Sequence, residues 1–547
     1  MIDDADPASW KRDIFVLFCA ILVFFSIGLA ARPYLTPSEA RYIELPHQML
    51  ITHDWLTPRI DGVPYFEKPP LFYWIQASVM QFFGTGEFAG RIATAVMSTL
   101  ICLITYATAR MFYGRLAGML AAGALATCAL GYALSRVAMV DIPVSLFLTA
   151  CFACFLTAQN MENRRWYYGM YAAAALAVMS KGLIGIVIPG LVIGTWIILT
   201  RRWWTLFEAR LISGLLIVLA IAAPWHWLMT RAHPGFFDFY FINEHFTRYL
   251  TDSHKRVQPW WFFIAITLAG LLPWTGLLFP TLRQVRLKEP ATLFLLIWIA
   301  LPFLFFSASH SKLAPYIFPV FPPLSMLLGR YLAEAWQGRH IIALRGNAWL
   351  VLTLFTIALA VFLFVPLPLD DQNKLAFASL PKSLLVPTGL TLAALAYLLL
   401  GRRPAPELIT GLAIFALIVD MTANRIVADI DHATVKPLAA QLAPRLHAND
   451  DVVAYASYFQ DLPVYLDRNV AVAGYTGELD FGVTHYPQTH RWMISDEEFW
   501  QRCAADTHNV YVFMKKTTFD TLPPHPDCPL RVIGEYGKTV MLERNFP

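Results

Sequence analysis

Glu67 and Lys68 stand side by side ahead of two prolines in the run Tyr65-Phe66-Glu67-Lys68-Pro69-Pro70. An acid and a base on a stiffened backbone suit a site that holds a metal ion or an anionic headgroup at a membrane surface. An ordinary solvated loop would also accommodate them, so their neighbours matter. Residues 32–90 repeat the theme with Glu39-Ala40-Arg41-Tyr42, then Asp54-Trp55, then Arg59. Aromatic rings suit a sugar face, and arginine or lysine suits a phosphate. A second polar region, residues 231–258, carries Glu244-His245-Phe246-Thr247-Arg248-Tyr249. If that run is helical, His245 and Arg248 share a face. Glu67 with His245 gives one carboxylate and one imidazole, a zinc-like pair for a divalent ion, though fewer ligands than a closed site uses. Lys68 with Arg248 would take phosphate oxygens.

Three further places carry polar groups between apolar runs. Asp141 precedes Pro143 and either caps a helix or offers a carboxylate. Lys181 is either a tight-turn residue or a headgroup ligand. Lys312-Leu313-Ala314-Pro315-Tyr316 opens another apolar run, so Lys312 and Tyr316 are expected to line one cavity with the others.

These residues need positioning by a membrane scaffold. Of 547 residues, 57% are hydrophobic and only 15% charged, against roughly 25% charged in soluble domains. Mean hydropathy is +0.51. The chain therefore reads as a polytopic α-helical membrane protein. At about twenty apolar residues per span, thirteen spans are predicted, at 14–31, 91–110, 117–135, 142–160, 167–180, 182–200, 211–229, 260–281, 291–307, 313–330, 347–367, 383–401 and 406–425. The run 71–83 is too short to cross and is expected to lie at the interface. No cleavable signal peptide is evident, since 14–31 is long enough to stay as a span.

Charge fixes the orientation. With the N-terminus inside and 71–83 not crossing, every cytoplasmic loop carries at least two basic residues, as the positive-inside rule asks. The long first loop, Arg136 to Asp141, Lys181, residues 231–258 and Ser307 to Lys312 then share the outer face. Basic residues there run against the bias, and a shared anionic ligand explains them. Residues 38–51 are expected to form an amphipathic lid, with Ile43, Leu45, Met49 and Leu50 as its apolar contacts.

The chain thus divides into a transmembrane part, 1–425, and a mixed polar and apolar part, 426–547, read as a small α/β domain outside the membrane. Strands are predicted at 451–455, 464–466, 470–472, 510–514, 530–533 and 539–542, and helices at 433–446 and 496–505. Its charge is mixed, with no nucleic-acid signature. Cys503 and Cys528 lie in it and are free to pair if it is extracytoplasmic. Cys151 and Cys154, inside an apolar run, read as one helix face.

Taken together, Glu39-Ala40-Arg41-Tyr42, Asp54-Trp55, Tyr65 to Pro70, Asp141 and Glu244 to Tyr249 resemble the lipid-linked glycosyltransferases of the C-type (GT-C) fold. Within the protein O-mannosyltransferase-like superfamily, the likeness is to the transferases that place 4-amino-4-deoxy-L-arabinose on lipid A. The resemblance implies a sugar donor on undecaprenyl phosphate, a lipid A acceptor, a bilayer setting and a periplasmic reaction. By position it implies Lys68 and Arg248 on the donor phosphate, Arg41 and Tyr65 at the headgroup, Glu67 and His245 on a metal, and Asp141 as the acidic residue of the next outer loop. Arg59, Lys181, Lys312 and Tyr316 would line the headgroup or acceptor cavity. The chain is expected to act as a monomer.

One departure stands out. The superfamily's first loop usually carries an Asp-Glu pair, with the Asp as the expected catalytic carboxylate, and here it reads Ser38-Glu39. Either Glu39 takes that role or no strong base is needed. A phosphate acceptor is already anionic near neutral pH, whereas a protein hydroxyl would have to be deprotonated, so Ser38 favours a lipid A phosphate. Rival readings are a sister enzyme acting on protein or glycan, a transporter of lipid-linked sugars, and a scaffold. A transporter predicts inverted repeats and broken helices, of which the sequence gives no sign. A scaffold leaves the outward basic residues unexplained.

Overall fold

The structure, a computed structural model, describes residues 7–247, 258–364, 385–430, 433–505 and 508–544. It divides into two compact units, Met1–Leu29 with Thr94–Ile426, and Ala30–Ala93 with Val427–Pro547.

The first unit is helical. Each of the thirteen apolar stretches contains helix among the described residues. Among those residues six helices are able, by length and composition, to cross a membrane, or up to eight if two bent pairs each count as one span. The unit's core is an aromatic stack in which Phe152, Phe155, Trp196, Phe294 and Trp298 are buried against one another. Trp196 and Trp298 donate their indole N–H groups to the carbonyls of Pro290 and Pro319 at 2.9 and 3.0 Å. Buried indole nitrogens need such partners. Small residues let helices approach elsewhere: a Cβ on Gly329 would meet the Ala117 carbonyl at 2.4 Å.

The bent pairs are Arg115–Ala126 with Ala129–Ser135, at 66°, and Phe262–Gly270 with Thr275–Arg283, at 111°. Neither break is marked by a local sequence signal that the span assignment uses. Freed backbone groups in an apolar setting must find partners, and the two breaks supply them to each other. Ala129 N–H donates to the Leu272 carbonyl at 3.0 Å, and Trp274 Nε1 donates to Thr127 Oγ1 at 3.1 Å. The Asn347 side chain closes the second break, accepting from Gly276 N–H and donating to the Pro273 carbonyl. The broken helices are thus explained by local packing without a transport site.

The second unit joins the first loop to the C-terminal region. The loop contributes the helix Ser38–Thr52, a hairpin of β1 (Arg59–Ile60) and β2 (Val63–Pro64), and the helix Leu71–Phe83. Asp61 and Gly62 turn the hairpin, both with positive φ, the geometry that two-residue hairpin loops favour. The C-terminal region builds a six-stranded sheet from β3 (Asp451–Tyr455), β4 (Ala471–Ala473), β5 (Met493–Ile494), β6 (Val510–Lys515), β7 (Leu530–Tyr536) and β8 (Thr539–Arg544). The order is β5-β4-β3-β6-β8-β7, parallel from β5 to β6 and antiparallel beyond. The predicted strand 464–466 is instead a short helix, Leu462–Leu466. Cys503 and Cys528 are disulfide-bonded.

The sequence reading grouped the first loop with the membrane helices, whereas it packs with the C-terminal region. His47 meets Asp467 at 2.8 Å, Gln48 donates to Asn469 at 2.6 Å, and Tyr34 N–H donates to the Tyr465 hydroxyl at 3.1 Å. Gly482 allows the hairpin in, since a Cβ there would meet Val63 Cγ1 at 2.4 Å. These contacts also correct the lid. Glu39, Glu44, His47 and Gln48 are buried along with Ile43, Leu45 and Met49, so Ser38–Thr52 is covered on its polar side too, as an internal helix of this unit.

Candidate functional site

Two constellations hold the predicted residues, one in each unit. In the helical unit, Asp141 begins the helix Asp141–Met161, and Lys181 ends the helix Trp166–Lys181. These helices pack as an antiparallel hairpin, so the start of one and the end of the other meet at the same end. Lys181 Nζ donates to Asp141 Oδ1 at 2.5 Å. An acid in a helix's first turn and a base in a last turn both complement the helix dipoles. Asp141 is therefore not a capping residue: the N-cap is Val140, and the carboxylate faces Lys181. Lys181 Nζ also sits 3.9 Å above the Tyr316 ring, a cation–π arrangement. Tyr316 belongs to the 3-10 turn Ala314–Val320. Asp141, Lys181 and Tyr316 thus come together within the helical unit. Lys312 is buried and donates to the Gln258 carbonyl at 3.2 Å.

In the other unit, Arg41 lies close to Tyr65 and Tyr42. Its guanidinium forms an ion pair with Glu478, and the side chain is 12% exposed. Burial alone would weaken its charge, but Tyr65, Glu478, Tyr42 and Glu67 around it more than offset that. Tyr42 stacks on Tyr73 at 6.3 Å. Burial, with Glu67 adding to it, pushes the Tyr65 hydroxyl well above its ordinary range, so it stays a donor. Among the described residues neither Arg41 Nε nor the Tyr65 hydroxyl has a hydrogen-bond partner, although both are buried. Buried polar atoms in that state point to a ligand or water. Glu67 and Lys68 are half-buried beside them, and Lys68 Nζ folds back onto the Glu67 carbonyl at 2.6 Å.

Two sequence expectations change here. Glu39 is fully buried, and its oxygens accept from Arg91 Nε at 2.7 Å, Arg91 NH2 at 2.8 Å, Arg32 at 3.2 Å and the Leu35 N–H at 2.9 Å. Burial opposes its charge, but Arg91 and Arg32 hold the carboxyl below its ordinary value. A carboxylate so enclosed is a structural anchor, poorly placed to act as a base. Arg59 likewise serves its own loop, pairing with Asp54 at 3.3 Å while Asp54 accepts from the Leu56 and Thr57 N–H groups.

His245 falls in the π-helix Asp238–Thr247, but its side chain lies outside the described residues, as does the whole of Arg248. Among the described residues no group of three His, Cys, Asp or Glu side chains could hold a metal. The metal reading therefore rests on Glu67 alone with an undescribed imidazole.

The sequence reading missed a second buried acid cluster. Glu44 accepts from Asp61 N–H at 2.6 Å and from the Tyr458 hydroxyl, and Asp61 Oδ1 accepts from Val470 N–H at 2.9 Å. Burial and the mutual repulsion of the carboxyls push Glu44 well up, and burial pushes Asp61 up to about 8. Its sequence signal, an acid in an Asp-Gly turn, is too common to single out.

Comparisons with known proteins bear on both constellations. Residues 67–227 match the dolichyl-phosphate-mannose-protein mannosyltransferase family, and residues 438–544 match the aminoarabinose transferase C-terminal domain. An undecaprenyl phosphate-alpha-4-amino-4-deoxy-L-arabinose arabinosyl transferase of Aeromonas hydrophila is 32% identical over 384 residues, 68% of this chain and 69% of that one. A second relative so described, from Sodalis glossinidius, is 33% identical over 326 residues, and the match spans 59% of its length, less than two thirds. The crystal structure of ArnT from Cupriavidus metallidurans bound to undecaprenyl phosphate superposes with a TM-score of 0.82 at 25% identity, covering 98% of each chain.

Proposed function

Because this chain belongs to the undecaprenyl phosphate-alpha-4-amino-4-deoxy-L-arabinose arabinosyl transferase family, we propose that it moves that sugar from undecaprenyl phosphate to a lipid A phosphate. The observation that carries this reading is the cluster around Arg41, where the buried Arg41 Nε and the Tyr65 hydroxyl have no hydrogen-bond partner among the described residues, close to the Glu67-Lys68 pair. That is donor chemistry suited to a phosphate in a low-dielectric setting.

A lipid A phosphate oxygen attacks the anomeric carbon as the bond to undecaprenyl phosphate breaks, and the bonding pair leaves on the phosphate. Arg41 and Lys68 stabilise the charge that grows there. Tyr65 donates its hydroxyl to the same oxygens. A phosphate nucleophile needs no base, which fits Ser38 and an enclosed Glu39. In the helical unit, Asp141, oriented by Lys181 beside Tyr316, is a separate constellation that we assign to the acceptor. Single displacement gives inversion. A divalent ion on Glu67 and His245 would add charge to the donor phosphate, and no step above depends on it.

The reading includes thirteen spans in the bacterial inner membrane, with both constellations and the C-terminal domain in the periplasm and the chain acting as a monomer. The Cys503–Cys528 disulfide supports an oxidising compartment. Masking lipid A phosphates with an amino sugar would lower affinity for polymyxin and other cationic peptides. The match of residues 67–227 to a protein mannosyltransferase family favours, as second reading, transfer to protein. Incubating the purified protein with lipid-linked aminoarabinose and lipid A tests the first: modified lipid A supports it, and transfer to protein alone overturns it.

A further inference from the structure

We propose that Glu478, on the C-terminal domain, is the residue that recognises the amino group of the donor sugar. The inference rests on the transfer reaction above. Glu478 lies in the 3-10 turn Gly477–Leu479. Its Oε2 pairs with Arg41, its Oε1 accepts from Gln460 Nε2 at 3.1 Å, and its side chain is 16% exposed. Each carboxylate oxygen has a further lone pair to offer. Arg41 Nε and the Tyr65 hydroxyl beside it have no hydrogen-bond partner among the described residues. One cluster therefore presents a cationic N–H and a hydroxyl next to a partly open carboxylate.

The donor named for the relatives has the matching polarity. Its phosphate and its 4-amino group sit at opposite ends of one pyranose ring, an anion and a cation a ring's width apart. Arg41 and Tyr65 suit the first, and a carboxylate is what the second requires. Of the other acids in the first loop, Glu39, Glu44 and Asp61 are fully buried, and Asp54 holds its own turn. Glu67 is half-buried next to Lys68 and on the phosphate side. Tyr475, three residues before Glu478 and exposed, offers a ring for the sugar face. A hydrogen bond from an ammonium to a carboxylate is roughly twice as strong as a neutral one, so this placement discriminates an amino sugar from its hydroxyl counterpart.

The test uses the full chain in lipid nanodiscs with two synthetic donors, polyprenyl phosphates bearing 4-amino-4-deoxy-arabinose or arabinose, and lipid A as acceptor. The readout is the ratio of kcat/KM for the two donors. The wild type is expected to prefer the amino donor tenfold or more. Glu478→Gln should bring the ratio close to one, while Glu478→Asp and Glu67→Gln keep most of it. If Glu478→Gln slows both donors equally, the residue merely holds Arg41 and the proposal is overturned, as it is by an unchanged ratio. Donor-induced shifts in unfolding temperature read recognition without transfer. A wild type that transfers neither donor, yet is stabilised more by the amino donor in a Glu478-dependent way, overturns the transfer reading and keeps this one. Equal stabilisation by both donors overturns this one.

Discussion

Lys181 donates a 2.5 Å hydrogen bond to Asp141, joining residues 40 positions apart at one end of a helical hairpin. The pair is almost enclosed, at 12% and 5% exposure, and Tyr316 covers the ammonium. Breaking one member of a buried pair leaves the other charge uncompensated. Asp141→Asn is expected to lower turnover by about 10²–10⁴, the range of positioned acid–base and orienting groups. Lys181→Met in that background should cost much less than it does alone. A coupling of about 0.5–3 kcal/mol in the four-way comparison would express this, and steady-state transfer rates of the four proteins give it directly. Additive losses would contradict a working pair.

Lys68→Ala should cut kcat by about 10²–10³, the usual loss when one preorganised donor to a developing anion is removed. The side chain is half-buried and turns back on its own loop, so the unfolding temperature should scarcely move. Full activity in a folded variant would remove Lys68 from the site.

Glu39→Gln separates a brace from a base. Two arginines, through three hydrogen bonds, and a backbone N–H converge on this carboxylate. Its loss should destabilise the unit that contains it by about 3–5 kcal/mol, visible in thermal unfolding. Turnover per folded molecule should stay within a few-fold of wild type. A folded Glu39→Gln protein with turnover down by orders of magnitude would restore Glu39 as the catalytic carboxylate.

Asp61 gives a pH dependence with a definite sign. Its folded value is raised from 3.8 to about 8, so the folded chain keeps a proton that the unfolded chain has released across that window. Stability is then greatest at the acid end and falls as pH rises towards 8. The groups facing Asp61 are Glu44, Tyr458 and the Val470 N–H. Asn tolerates the positive φ at this turn, so Asp61→Asn should flatten the decline and stabilise the protein at the alkaline end. Unfolding temperatures measured from acid to alkaline pH check this, and a variant that declines like wild type would contradict it.

Much of the helical unit was legible because apolar runs and loop charges are local signals. The helices Leu71–Phe83 and Asp496–Ala505 fall where the sequence put them. Asp141, Lys181 and Tyr316 were grouped because a membrane reduces their placement to a choice of face. The breaks at Thr127 and Pro273 were not legible, since what makes them tolerable is a second break far along the chain. The partners of Glu39 were equally hidden: Arg91 lies 52 positions away, and an isolated Ser38-Glu39 says nothing about enclosure. Glu478 escaped notice because it follows a common turn sequence in a domain that showed no motif. Only its contact with Arg41 gives it meaning.

The central claim is transfer of an amino sugar to lipid A, and the most direct measurement is mass spectrometry of lipid A from cells with and without the gene, under polymyxin challenge. The account predicts that an aminoarabinose-sized addition disappears with the gene, that resistance falls with it, and that a wild-type copy restores both while Lys68→Ala does not. Lipid A unchanged by loss of the gene would contradict the account and move the acceptor to protein or another glycan.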